Sequence, residues 1–187
     1  MECPALIIMD YIDLDLQFPL TGSGDRTLNH LHLSDIYSDL EQTLFPKTSK
    51  ADMTNQLWAE TGFLWECLLS KVFAEHCTER PGEVELDGVI GSPDGFDQTT
   101  GILDEYKATW KSINNAHPSK VWKWMTQVKG YCKMLGVNTV RFHVFYVMGD
   151  YRGSGPLYRA YLFSFTDQEI EENWSMLINH AKAKGWL

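Results

Sequence analysis

Apolar residues recur at helical spacing in several stretches of the chain. The strongest pattern covers residues 51–76, and the positions expected to form its buried stripe are Leu57, Thr61, Leu64, Trp65, Leu68, Leu69, Val72 and Phe73. An earlier helix is predicted to begin with Ser34 or Asp35 as its N-cap, because both side chains accept hydrogen bonds from free amides of a first turn.

Two further helices are predicted in the second half of the chain. One opens at His117–Pro118–Ser119 and closes at Gly136, with an apolar seam formed by Val121, Met125, Val128, Cys132 and Leu135. A second stripe on this helix carries Lys120, Lys123, Gln127 and Tyr131, whose three- and four-residue spacing predicts side chains that project together. The last helix opens with the capping box Thr166–Glu169.

Extended segments lie between these helices. Residues 82–97 and 101–109 are joined by the polar turn 98–101 and predict a hairpin, and residues 138–150 and 157–165 predict two more strands. The predicted order is helix, helix, strand, strand, helix, strand, strand, helix. This order favours an α/β fold of the α+β type, a central mixed β-sheet flanked by helices, in one domain over residues 31–187. Residues 1–30 are an acidic N-terminal segment, expected to be extended or partly disordered.

Composition excludes several classes of protein. No apolar run is long enough to span a membrane and the start lacks a basic leader, so we expect a cytoplasmic protein, in the host cytoplasm if the source is a phage. The four cysteines are scattered and are expected to be reduced thiols. A phosphate-binding Gly-x-x-x-x-Gly-Lys loop and a Gly-x-Ser-x-Gly nucleophile motif are both absent from the sequence.

The charge is distributed unevenly along the chain. The net charge is −9, yet residues 1–66 carry eleven acidic and three basic side chains, whereas residues 107–133 carry six lysines and no acid. A local basic region of this kind is compatible with a nucleic-acid partner, because phosphate binding depends on lysine and arginine. A solvated helix face is the competing interpretation.

The hairpin places chemically distinctive side chains together. If it turns symmetrically about Thr99–Thr100, Asp94 lies opposite Glu105, and strand alternation puts Lys107 on the same face while Asp104 and Tyr106 point away. Two carboxylates about 5 Å apart repel each other unless a cation lies between them. Asp97 and Asp104 are expected to be turn and solvent residues.

This trio of side chains suits a hard divalent cation. Asp94 and Glu105 offer oxygen ligands for Mg²⁺ or Mn²⁺, with coordination positions left for water and a substrate phosphate. Lys107 can orient or deprotonate the attacking water, or stabilise charge that develops on phosphorus. The alternative is a surface hairpin in which Glu105 and Lys107 form a pair worth less than about 1 kcal/mol.

The motifs around this hairpin resemble those of the PD-(D/E)xK nuclease superfamily. Pro93–Asp94 followed by Glu105–Tyr106–Lys107 matches its signature, and residues 127–131, Gln-Val-Lys-Gly-Tyr, match the Gln-x-x-x-Tyr motif of its RecB-like exonuclease branch. Upstream, residues 62–66 resemble the helix glutamate segment of that branch, and residues 31–36 resemble an N-terminal segment of phage-type members. The resemblance covers roughly residues 31–148.

The resemblance implies a restriction-endonuclease-like core and metal-dependent cleavage of DNA. By position, Glu66, Asp94 and Glu105 are the implied metal-binding acids, the Tyr106 carbonyl is a further ligand, Lys107 is the catalytic lysine, and Gln127 and Tyr131 face the site and DNA. Some RecB-like relatives hold an iron–sulphur cluster with three cysteines near the C-terminus. No cysteine follows Cys132 here, so no cluster is expected.

Additional DNA contacts are predicted around this core. Trp110 and Lys111, just past the catalytic strand, are placed to stack on a base and contact phosphate, although a core position for Trp110 is equally compatible with the sequence. Lys120 and Lys123 are predicted to bind backbone phosphates.

The function expected from these features is a Mg²⁺- or Mn²⁺-dependent DNA exonuclease acting in recombination, repair or replication of a phage or mobile element. The alternatives are an endonuclease of the same superfamily, restriction-like or junction-resolving, and an inactive DNA-binding module. A recombinase or single-strand-binding protein is a further partner that the acidic N-terminal segment could contact.

Overall fold

The structure is a computed structural model that describes residues 30–46, 61–62, 64–65, 67–69, 71–72, 78–153 and 155–187. The strands are β1 Leu31–His32, β2 Thr78–Glu79, β3 Val84–Leu86, β4 Val89–Gly91, β5 Gly95–Asp97, β6 Ile102–Thr109, β7 Thr139–Tyr146 and β8 Leu157–Ser164. The main sheet has the strand order β2-β5-β6-β7-β8, and a smaller sheet has the order β1-β4-β3.

The main sheet is mixed. Strands β2, β5 and β6 pair antiparallel, β6 and β7 pair parallel, and β7 and β8 pair antiparallel. A parallel pair needs a crossover connection, and here the crossover contains a helix. The predicted mixed sheet flanked by helices is confirmed. None of the helices within the described ranges is long and apolar enough to cross a membrane.

Three long helices cover one face of the main sheet: α1 Leu33–Leu44, α2 Trp122–Leu135 and α3 Asp167–Ala183. Strand alternation gives this front face an aliphatic and aromatic surface, and the helices bury it. The core includes Leu33 and Ile36 from α1, Val128 and Cys132 from α2, Trp174 and Leu177 from α3, and Leu103, Val140, Phe142, Val144 and Tyr146 from the sheet.

The helix boundaries differ slightly from those predicted. Helix α1 begins at Leu33 with His32 as N-cap, and Asp35 lies one turn in, where its carboxylate accepts a hydrogen bond from His32 N–H at 3.3 Å. The predicted N-cap at Ser34 or Asp35 is therefore wrong, because both residues lie inside the first turn and Asp35 forms a capping box with His32 from there. Pro118 opens only a 3-10 turn, Pro118–Lys120, and α2 itself starts at Trp122.

The end of α2 and the start of α3 lie where the sequence predicts them. Helix α2 ends at Leu135 and is capped by Gly136, whose φ of 67° lies in the left-handed region that glycine enters at little cost. The capping box before α3 is confirmed, because Thr166 Oγ1 accepts from Glu169 N–H and the Glu169 carboxylate accepts from Thr166 N–H.

The predicted single strand over residues 82–97 is wrong, because the chain forms three short strands there. Asp87 and Gly88 both adopt positive φ, 53° and 77°, and turn β3 back onto β4 before the chain reaches β5. The Asp87 carboxylate accepts a hydrogen bond from Trp174 Nε1 at 2.8 Å, which ties this turn to α3. The small strands β1 and β2 were not predicted either.

The described residues between 61 and 72 are helical, as predicted, but the predicted buried stripe is only partly confirmed there; its members Leu57 and Phe73 lie outside the described residues. Leu69 is buried, whereas Leu64, Leu68 and Val72 are 68%, 48% and 57% exposed. Trp65 packs on Phe145 with ring centroids 4.7 Å apart. Phe145 lies on the back face of the main sheet, so this helical segment contacts the face opposite α1, α2 and α3.

Candidate active site

The hairpin β5–β6 has the predicted register. Gly95 pairs with Asp104, Phe96 with Leu103 and Asp97 with Ile102. Continuing this register by one residue sets Asp94 against Glu105, and the Asp94 carboxylate accepts a hydrogen bond from Tyr106 N–H at 2.9 Å. The turn is held by the Asp97 carboxylate, which accepts hydrogen bonds from Thr99 N–H and Thr100 N–H at 2.9 and 3.2 Å.

Two carboxylates and one ammonium meet at the front face of this hairpin. Glu105 is fully buried, and its Oε1 forms a hydrogen-bonded ion pair with Lys107 Nζ. Asp94 lies close enough for its charge to act on the same ammonium. Asp94, Glu105 and Lys107 therefore lie together, as the hairpin register predicts. Because Glu105 is completely buried, the alternative of a Glu105–Lys107 pair on an exposed surface hairpin is excluded.

The electrostatics of the three groups follow from burial and mutual charge. Burial raises the pKa of Asp94, and the Lys107 charge and the Tyr106 N–H offset this shift only in part. Burial by itself lowers the pKa of Lys107, but the charges of Glu105 and Asp94 outweigh it, so the pKa lies above the ordinary lysine value. Lys107 is therefore a protonated ammonium in this arrangement.

Helix α2 supplies the next pair of side chains. Gln127 and Tyr131 are 9% and 5% exposed, and Gln127 Nε2 donates to the Tyr131 hydroxyl at 3.2 Å. Burial, followed by the charges of Glu105, Tyr37 and Asp94, raises the pKa of Tyr131 well above its usual range. The predicted Gln127 and Tyr131 stripe thus approaches the acidic residues as a hydrogen-bonded unit.

Sequence reasoning missed one residue of the site, Tyr37 on α1. Burial raises its pKa to about 12; the charge of Lys107 opposes this increase, and that of Glu105 adds to it. The signal was present in the helical pattern, because Leu33, Ile36, Tyr37 and Leu40 share the buried face of α1 and only Tyr37 carries a polar atom there.

The predicted lysines of α2 separate in space. Lys123 lies 5.3 Å from the centroid of the Tyr37 ring and 4.0 Å from Glu41 Oε2, so it belongs to the α1 side of the site. Lys120 is exposed on the preceding 3-10 turn. Trp110 is 43% exposed just past β6, so a core position for it is excluded, and Lys111 beside it is exposed as well.

The acids on the back of the hairpin differ from the prediction. Asp104 points away from the site as expected, but it is fully buried, so the prediction that it is a solvent residue is wrong. Asp97 is a turn residue, as predicted, although it is only 6% exposed. Asp104 accepts two hydrogen bonds from Arg141, Nε at 2.7 Å and Nη2 at 3.0 Å, and its Oδ1 lies 2.8 Å from His143 Nε2.

The donor set fits a divalent cation within the limits of the described residues. Asp94 and Glu105 supply carboxylate oxygens on one face, and Mg²⁺ is commonly held by only one or two carboxylates with water and phosphate completing the shell. The described ranges contain no group of three or more His, Cys, Asp and Glu side chains that could hold a metal. The predicted third acid, Glu66, lies outside the described residues, and the Tyr106 carbonyl stays a predicted ligand.

The comparisons with known proteins support the fold. A phage-related exonuclease from Haemophilus somnus 129PT is 14% identical, with 79% of this chain and 78% of that chain covered and a TM-score of 0.50. An alkaline exonuclease, LHK-Exo from Laribacter hongkongensis, is 17% identical over 83% of this chain and 89% of that chain, with a TM-score of 0.51. The structure of LHK-Exo in complex with dAMP has a TM-score of 0.53, with the same shares of the two chains covered. No protein-family model and no curated protein matches the chain. The chain therefore shares the mixed α/β fold of solved exonucleases at low identity.

Proposed function

We propose that this protein is a divalent-metal-dependent DNA exonuclease of the PD-(D/E)xK type, close to the RecB-like and phage-type members. The observation that carries the proposal is the single face shared by Asp94, Glu105 and Lys107, with Glu105 fully buried and paired to the lysine. Burying a carboxylate is expensive, and a metal-binding role explains why two of them stay together here. The names of the structural neighbours, including one bound to dAMP, point to the same chemistry.

Each residue has a role in this proposal. Asp94 and Glu105 hold Mg²⁺ or Mn²⁺, and Glu66 is the third acid. A bound cation of this kind supplies Lewis acidity toward the scissile phosphate. Lys107, paired with Glu105, orients or helps to deprotonate the attacking water, or neutralises charge that develops on the phosphate.

The residues on α2 position the substrate. The amide of Gln127 and the phenol of Tyr131 offer hydrogen-bond donors next to the carboxylates. Lys123 and Lys120 contribute positive charge along the approach to the site, which favours the sugar-phosphate backbone over a neutral ligand.

The test is digestion of end-labelled linear DNA, single- and double-stranded, with Mg²⁺ or Mn²⁺. Glu105→Gln and Lys107→Met are expected to lower the rate by about 100-fold or more, since each removes a charge at the reacting phosphate. Glu85→Gln, which alters an exposed strand glutamate, is the matched control and should retain full rate. Equal rates in all four proteins would refute the site.

Closed circular DNA separates the two nuclease classes. An exonuclease requires an end, so covalently closed circles should stay intact while the linear form of the same DNA is degraded. Cleavage of the circle at a similar rate would replace the proposal with an endonuclease, and absence of hydrolysis on every substrate would favour a DNA-binding module.

A further inference from the structure

Two exposed aromatic side chains lie on neighbouring loops at the carboxyl ends of β6 and β7. Trp110 follows β6 directly and is 43% exposed, and Tyr151 lies five residues after the end of β7 and is 57% exposed. The Tyr151 hydroxyl donates a hydrogen bond to the Trp110 carbonyl at 2.5 Å. The two aromatic residues thus belong to one surface.

The loops that carry them are fixed to each other. Val147 N–H donates to the Thr109 carbonyl at 3.0 Å, and Ile113 N–H donates to the Gly149 carbonyl at 3.0 Å. These bonds bracket Trp110 and hold the chain just before Tyr151, whose own N–H donates to the Met148 carbonyl at 3.1 Å, so the surface is organised before any ligand arrives. Preorganised aromatic side chains lose little conformational entropy on binding.

Tyr151 adopts a backbone conformation that a large side chain seldom occupies. Its φ is 64°, in the left-handed region, which costs roughly 1–2 kcal/mol for a residue with a Cβ. Strain of this kind concentrates at binding and catalytic sites, where the side-chain direction matters more than local stability. Glycine at this position would relieve the strain but would remove the ring.

Each aromatic residue is followed by a basic one. Trp110–Lys111 and Tyr151–Arg152 repeat the same aromatic–cation pair on the two loops, and both cations are exposed. Asp150 contributes one acid to this region; its Oδ1 accepts a hydrogen bond from Arg152 N–H at 2.8 Å. Aromatic faces interleaved with lysine and arginine are the chemistry that binds single-stranded nucleic acid, through base stacking and phosphate contacts.

The surface lies just beyond the carboxyl end of the strand that carries Lys107. Trp110 lies three residues beyond Lys107 on the same strand path, a separation of about 10 Å at roughly 3.3 Å per residue. A substrate strand held at Lys107 would therefore need to extend by only a few nucleotides to meet the two loops.

We propose that Trp110, Lys111, Tyr151 and Arg152 form a stacking platform for unpaired bases of the substrate strand. The proposal rests on the proposed function and specifies the substrate as single-stranded DNA or a single-stranded end. Bases within a duplex are already stacked on both faces, and unstacking them costs a few kcal/mol per step, so intact duplex gains little from this surface.

Equilibrium binding in EDTA tests the platform without any turnover. The probes are a fluorescein-labelled single-stranded oligonucleotide, the same length of blunt duplex, and an oligonucleotide of abasic residues. Trp110→Ala and Tyr151→Ala are each expected to weaken single-strand binding about 10-fold, with binding of the duplex and the abasic strand changed by less than about 2-fold. Tyr151→Phe keeps the ring and should stay near wild type.

Trp186→Ala is the matched control, because Trp186 is 40% exposed and its ring packs on His180 instead of the two loops. It should bind every probe like wild type, and thermal melts establish that each variant is folded. Unchanged single-strand binding in both alanine variants, or equal losses on the abasic strand, would overturn the platform. Equal losses on duplex would replace it with a general DNA contact. If Glu105→Gln abolishes cleavage while the platform variants bind normally, only the platform fails.

Discussion

The buried ion pair on the back of β6, the strand that carries the candidate site, gives the sharpest prediction on stability. Asp104 lies between Leu103 and Glu105 on β6, is fully buried, and accepts hydrogen bonds from Arg141 on β7. It connects β6, the middle strand of the main sheet and the one that carries the candidate site, to the neighbouring strand β7. Asp104→Asn keeps the shape of the side chain and removes its charge.

The expected loss in the free energy of unfolding follows from how exposed the Asp104 and Arg141 side chains are. Removal of one partner from a buried pair costs about 3–5 kcal/mol, because the other charge is left uncompensated. The Arg141 side chain is 31% exposed and regains some hydration, so we expect about 3 kcal/mol, at the lower end. Arg141→Met leaves the fully buried carboxylate without its guanidinium and should cost more than Asp104→Asn.

The assay is urea unfolding followed by circular dichroism, with thermal melts as a second measure. For a chain of this length, about 3 kcal/mol corresponds to a decrease in Tm of roughly 6–12 °C. Glu171→Gln is the control, because it breaks the Lys133–Glu171 pair, in which the glutamate side chain is 55% exposed. It should cost less than about 1 kcal/mol.

Two outcomes would refute this reasoning. If the free energy of unfolding of Asp104→Asn lies within about 0.5 kcal/mol of the wild-type value, the Asp104–Arg141 pair does not stabilise the protein as a buried ion pair should. If Glu171→Gln is equally destabilising, burial does not separate the two pairs.

Three other regions give further predictions. Gly130→Ala should destabilise the protein by about 1–2 kcal/mol despite the better helix propensity of alanine, because the new Cβ would lie 2.7 Å from Leu33 Cδ2; a gain in Tm would contradict this packing. Burial and then the charge of Glu105 raise the pKa of Cys132 to about 12, so peptide mapping after iodoacetamide at pH 8 should find Cys132 unmodified while the exposed Cys67 is alkylated. Hydrogen bonds within its turn lower the pKa of Asp97. The ionised carboxylate therefore stabilises the folded protein at neutral pH, and this stabilisation is lost as the pH falls below about 4. Asp97→Ala should accordingly shift the midpoint of urea unfolding more at pH 7 than at pH 3.

Much of the candidate site was predictable because its geometry is local. The hairpin register depends on the turn at 98–101, and strand alternation then fixes which side chains share a face with Glu105. Gln127 and Tyr131 are four residues apart on one helix, so their contact also follows from sequence spacing. Prediction succeeded where few residues separate the partners.

Contacts between distant elements were not predictable in the same way. Nothing near Asp104 in the sequence marks it as buried; its partners come from β7, 37 and 39 residues away. Tyr37 joins the site only because α1 packs over the front of the sheet. The apolar residues Leu64 and Leu68 fit a helical stripe, yet they are exposed because the helix contacts the sheet through a different side.

The sequence by itself therefore determined the alternation of strands and helices, the hairpin register and the grouping of Asp94, Glu105 and Lys107, since all of these depend on periodicity and short-range turns. Tertiary structure decided which faces are covered, and hence which charges are buried and paired. It also decided that Trp110 and Tyr151 meet on one surface, 41 residues apart in sequence. Burial arises from the packing of whole elements, and no local pattern in the chain specifies which elements will meet.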